Sequence, residues 1–187
     1  MIGGQDRVME TLRSREVYSN QWITVREDVI RQADGEPGIY AVVDKSDFAV
    51  IIPRDGDRFH LVEQFRYPQQ RRCWEFPGGA LHNGEAFDAT ATAHQELREE
   101  TGLRAGRMTY LGRISPAPAT CSHHGHIFLA TELEIGEPER EPSEQDMRAA
   151  WFSRAELESM IASGKITDGD TVAGYMLLLL HERANPA

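Results

Sequence analysis

The segment from Asp88 to Thr101 most constrains how this chain can fold. It is a run of good helix formers, it opens after a Pro77-Gly78-Gly79 turn, Gly102 stops it, and short apolar runs flank it on both sides. Upstream, Trp22–Ile30 and Ile39–Val43 surround the turn-rich stretch Ala33–Gly38 and predict an N-terminal antiparallel hairpin. Phe48–Pro53 and Phe59–Phe65, separated by Arg54-Asp55-Gly56-Asp57, predict a second hairpin rich in β-branched and aromatic residues. Downstream, strands are expected at Met108–Ile114, Ile127–Leu133 and Ala149–Phe152. Ser153 with Glu156 forms a capping box for a helix ending near Gly164, and a last helix spans Asp170–Arg183. Strands and helices without a regular β-α-β alternation exclude a doubly wound sheet. They predict an α+β domain, an α/β/α sandwich about a mixed β-sheet.

Composition narrows the function classes. The 187 residues are 40% hydrophobic and 27% charged, as in an ordinary globular protein. The longest apolar run, Met176–Leu180, is far too short to span a bilayer, so no membrane association is expected. Thirty acidic residues against twenty basic ones give a net charge of −10, which repels a phosphate backbone and argues against nucleic acid as a partner. A polyanionic small substrate would then need metal ions. The first ten residues lack the apolar core of a signal peptide, and Cys73 and Cys121 form no close pair, so a cytoplasmic protein with free thiols is expected.

Chemistry concentrates in Gln95-Glu96-Leu97-Arg98-Glu99-Glu100-Thr101-Gly102-Leu103. At about 100° per residue, Glu96, Glu99 and Glu100 share one helix face while Leu97 turns toward the core. Three like charges at these spacings repel, and a hard divalent cation that takes carboxylate and phosphate oxygens would offset that repulsion. Alone, such a pattern is also that of a solvated acidic face.

Its context decides. Gly79 and Glu85 upstream, followed by Glu96 through Leu103, resemble the Nudix box G-x5-E-x7-R-E-U-x-E-E-x-G-U, where U is aliphatic. Two departures stand out: nine residues rather than seven follow Glu85, and Gln95 replaces the box arginine. The resemblance implies a Nudix fold with Glu96 and Glu100 as metal ligands and Glu99 as a further ligand or water-positioning group. It also implies the Gly78 carbonyl as an additional ligand and Mg²⁺, or in its place Mn²⁺, as the cofactor.

Flanking residues are similar to the ADP-ribose and ADP-sugar pyrophosphatase branch. Gln64-Phe65-Arg66-Tyr67-Pro68 precedes Glu75-Phe76-Pro77-Gly78-Gly79, and Pro118 follows Gly102. The branch resemblance, covering about residues 15 to 183, implies that Trp22 and Tyr40 stack a nucleobase and that Arg66 and Glu75 belong to the substrate site. Ala41 stands where some branch members carry an acid that reads adenine. The branch resemblance also implies a loop glutamate as general base, with Glu144 first and Glu141 next in Glu141-Pro142-Ser143-Glu144. His123, His124 and His126 are expected as loop residues lining the sugar end. The resemblance further implies residues 1–46 as N-terminal strands serving dimerisation and the nucleobase, residues 47–187 as the hydrolase domain, and a homodimer acting on a nucleoside diphosphate sugar. Other substrates of the same centre, a GDP- or UDP-sugar or a dinucleotide, stay open, as does a ligand-sensing domain that lost turnover.

Overall fold

The computed structural model describes residues 9–81 and 87–186. Its described residues divide into two compact units, one holding residues 9–46 and 117–123, the other holding residues 47–81, 87–116 and 124–186. Glu85, matched above to the first box glutamate, lies outside the described residues.

The first unit is a three-stranded antiparallel sheet of β1 (Glu10–Ser19), β2 (Thr24–Arg31) and β3 (Pro37–Asp44), in that order. The expected hairpin is β2–β3, and Gly35, at φ 90°, makes the reversal without the steric cost a side chain would carry. β1 extends that hairpin to a sheet. Its residues are exposed throughout, so no apolar alternation betrays it; backbone pairing with β2 and ion pairs such as Arg15–Glu27 hold it instead. Ala117–His123 joins this unit through Val43, whose amide donates to the Thr120 carbonyl at 2.8 Å, and through the Tyr40 hydroxyl, which donates to the Ala119 carbonyl at 2.8 Å.

The second unit is a seven-stranded mixed sheet. Its elements are β4 (Phe48–Asp55), β5 (Arg58–Arg66), β6 (Arg71–Glu75), β7 (Gly78–Ala80), α1 (Ala89–Thr101), β8 (Leu103–Ile114), β9 (Gly125–Ile135), β10 (Arg148–Ser153), α2 (Arg154–Ala162) and α3 (Gly169–Ala184). The main order is β10-β5-β4-β9-β8, with β6 on β5 and β7 on β4. Only β4 and β9 run parallel, in register from Phe48↔Gly125 to Pro53↔Ala130. β4 is a continuous apolar run because both its faces are covered. Ala49 and Ile51 meet Ala93 and Leu97 of α1, while Val50 and Ile52 face Leu157 of α2 and Leu178 of α3. This is the expected α/β/α sandwich. No helix among the described residues is long and apolar enough to cross a membrane, and both cysteines are free.

The caps of α1 fix its register. The Asp88 carboxylate accepts from the amides of Thr90 and Ala91 at 3.0 Å, and Gly102 ends the helix in the left-handed region at φ 74°.

Candidate functional site

Leu97 is buried in the core beneath α1, which turns Glu96 and Glu100 toward the strand β7. That strand is pinned to β4 by the pairs Val50↔Gly78 and Ala49↔Gly79. The Gly78 amide donates to Glu100 Oε2 at 2.9 Å. At Gly79 a Cβ would stand 2.6 Å from Glu96 Oε1, so a side chain there would have to push the Glu96 carboxylate aside. The sequence suggested a tight turn with the Gly78 carbonyl as a metal ligand; in the structure both glycines lie against the acidic helix.

Glu144 arrives from the loop before β10, on the short turn Pro142–Glu144. One oxygen each from Glu96, Glu100 and Glu144 lies within 4.8 Å of the others. Burial pushes the Glu96 carboxyl up to about 8, and the charges of Glu144, Glu99 and Glu141 push the same way. Glu100, 1% exposed, is held well above the ordinary carboxylate range by burial and by Glu96 and Glu144, against the Gly78 amide and the more distant Arg66. Burial also raises Glu144. Among the described residues, no ion pair includes any of these three. The donor set suits a hard divalent cation: all oxygen, three carboxyls, and repulsion that a cation would relieve.

The other expected site residues fall around this cluster or in the first unit. Glu99 stands beside the three rather than among them, and its carboxylate accepts from Gln95 Nε2 at 3.1 Å. Gln95, in the place of the box arginine, thus keeps a donor there without the charge. Glu141 accepts from the Glu144 amide in a reciprocal capping box. Glu75 is buried and accepts from Arg66 Nε at 3.0 Å, and both line a cavity of about 70 Å³ with Val50, Gly78 and Asp168. In the first unit, Trp22 lies ahead of β2 and is 50% exposed, which removes the alternative of a core tryptophan. Tyr40 is half-buried on β3.

The histidines correct the sequence reading. His126 belongs to β9, not to a loop, and its Nε2 lies 3.0 Å from Asp47 Oδ2. Asp47 also accepts from the His124 amide at 2.7 Å. The acid these histidines lack nearby in sequence comes from the start of β4. Arg140 was also missed: its Nε donates to the Glu100 carbonyl and its Nη1 to the Met147 carbonyl. No local pattern could have announced either partner.

Two family models match the chain, a NUDIX domain over residues 44–174 and a nucleoside diphosphate sugar hydrolase N-terminal domain over residues 9–43. An ADP-ribose pyrophosphatase of Mycobacterium tuberculosis is 32% identical over 170 residues, covering 89% of this chain and 81% of that protein. One of Bacillus subtilis is 27% identical over 175 residues, covering 92% and 94%. A solved structure described as an ADP compounds hydrolase superposes with a TM-score of 0.84 at 18% identity over 98% of this chain and 99% of that one, so the folds are alike.

Proposed function

The chain belongs to the Nudix family of pyrophosphohydrolases, and from that premise we propose that it cleaves the diphosphate of ADP-ribose or a related ADP-sugar to AMP and a sugar phosphate. The observation that carries this is the Glu96–Glu100–Glu144 cluster, whose carboxyls are all raised despite the donors near Glu100. Nudix enzymes generally use divalent metals, and in this reading Glu96, Glu100, Glu99 and the Gly78 carbonyl hold Mg²⁺, or Mn²⁺ in its place. When bound, the cation supplies charge neutralisation at the phosphates and a more acidic water. Glu144 takes the proton of the attacking water, burial raising its carboxyl above the ordinary value and so making it a better base, and Glu141 orders the turn that carries it. Arg66, oriented by buried Glu75, offers a planar fork of donors to the diphosphate.

Trp22 and Tyr40 stack the base, and the N-terminal strands 1–46 add the dimer surface to the hydrolase domain 47–187, giving a cytoplasmic homodimer without nucleic-acid or membrane partners. Two findings favour one alternative substrate class, another nucleoside diphosphate sugar: Ala41 offers the base no acid, and the N-terminal family model is described for such sugars in general.

A panel of ADP-ribose, other ADP-sugars, GDP- and UDP-sugars and dinucleotides, each with Mg²⁺, Mn²⁺ or chelator, tests the reading. ADP-ribose should give AMP fastest and only with metal. A GDP- or UDP-sugar hydrolysed faster would transfer the assignment, and metal-independent turnover would sink it. Trp22→Ala should raise KM for ADP-ribose roughly 5- to 150-fold with kcat nearly unchanged. An unchanged KM would retire the stacking role.

A further inference from the structure

The loop that carries Glu144 is fastened to the helix that carries the other carboxylates through Glu139 and Arg140, and Arg140 alone also reaches the far end of the loop. The last turn of any helix leaves carbonyls without intrahelical partners. In α1, the Glu99 carbonyl accepts from the Glu139 amide at 3.0 Å and the Glu100 carbonyl accepts from Arg140 Nε at 3.2 Å. Glu100 therefore presents its side chain to the cluster and its main chain to the loop, and the neighbouring Glu99 carbonyl is tied to the same loop. Arg140 then reaches across the loop, its Nη1 donating to the Met147 carbonyl at 2.6 Å just before β10. Both ends of the 141–146 segment are thereby tied to one guanidinium. Gln145 fills the inside, its Nε2 donating to the carbonyls of Arg140 at 2.9 Å and Glu141 at 3.0 Å. A guanidinium suits this position because it donates in two directions at once and meets the negative end of the helix.

We propose that Arg140 is a positioning residue that sets Glu144 within the carboxylate cluster and so governs the rate of the chemical step. α1 carries glutamine at the box-arginine position, so the charge that organises the cluster comes from the opposite loop. The proposal rests on the reading of Glu144 as the base. It acts through Glu144 and not through substrate affinity, which separates it from a merely structural role.

The test is a double-mutant cycle on the full chain with the substrate found by the panel above. Arg140→Met should lower kcat by ~10-fold or more with KM within about twofold, and Arg140→Lys, able to reach one carbonyl but not both, should fall between. In a Glu144→Gln background, Arg140→Met should cost little further. An equal loss in both backgrounds, a loss confined to KM, or an unchanged kcat would overturn the proposal. A Glu144→Gln variant with wild-type kcat would instead sink the base assignment itself. Melting temperatures are read alongside, and if Arg140→Met does not fold, Arg140→Lys carries the cycle.

Discussion

Two groups of titratable side chains in the second unit, the deeply set Glu96 and Glu100 with Glu144 and the shallower Asp47 with its two histidines, shift in opposite directions. Burial alone would raise Asp47, yet its carboxyl sits below the ordinary value because His126 and the His124 amide donate to it. Asp44 in the N-terminal sheet behaves alike: burial is outweighed by donors from Ser122 and Arg26. Glu96 receives no such donors and is pushed up to about 8. Desolvation acts on all three and is strongest at the deeply set Glu96; at the shallower Asp47 and Asp44 the donors outweigh it. Asp47 is complete as folded, whereas the glutamate cluster is complete only with a cation from outside.

The sharpest way to break this contrast is Glu100→Gln. Activity should fall on the order of 100-fold, about 2.7 kcal/mol of transition-state stabilisation, while the metal-free protein should become more stable as repulsion is relieved. Retention of more than about a tenth of kcat/KM would put the cluster in the same class as Asp47.

Next in size is the pH response of the metal-free protein. A carboxyl raised from 4.5 to about 8 leaves the folded state holding more protons than the unfolded one between those values. Its stability cost is therefore absent below about pH 4.5, grows through the window and is full above about pH 8. The melting temperature should drop as pH rises from 5 to 8, and Mg²⁺ at pH 8 should restore it. A flat profile in chelator would mean that the cluster is compensated from within.

Asp47→Asn probes the other side. It should cost roughly 1–2 kcal/mol, equally with and without metal, with kcat nearly unchanged. Destabilisation that Mg²⁺ reverses would erase the distinction. The smallest effect is expected of Gln95→Arg, which places a cation beside Glu99. A gain of under ~0.5 kcal/mol in the metal-free state, with the substrate preference unchanged, would sharpen the contrast by making one cluster slightly more like the other.

These residues also mark what the sequence could disclose. Glu96, Glu99 and Glu100 were legible because one helix spaces them at three and four, and the sandwich was legible because each element buries an apolar face. β1 was not, since Glu10–Ser19 buries no face and is held by backbone pairing and exposed ion pairs. Asp47 and His126 meet across a parallel strand pair, and Arg140 reaches Glu100 across an intervening hairpin. Such meetings follow from chain closure, on which local periodicity is silent. Glu144 was found by likeness to a family and not by spacing.

The pairing of β4 with β9 has a consequence for lifetime. Until that long-range closure is made, α1 has no sheet to rest on and Glu144 no helix to meet, so an unfolded or half-folded chain holds the carboxylates apart. A cation held between the α1 glutamates and the Gly78 carbonyl of β7, as proposed above, would bind only the finished domain. At a free concentration 100 times its Kd, it would add about 2.7 kcal/mol to the folded state. Divalent supply would then act on how long each molecule survives between openings, as well as on how fast it turns over.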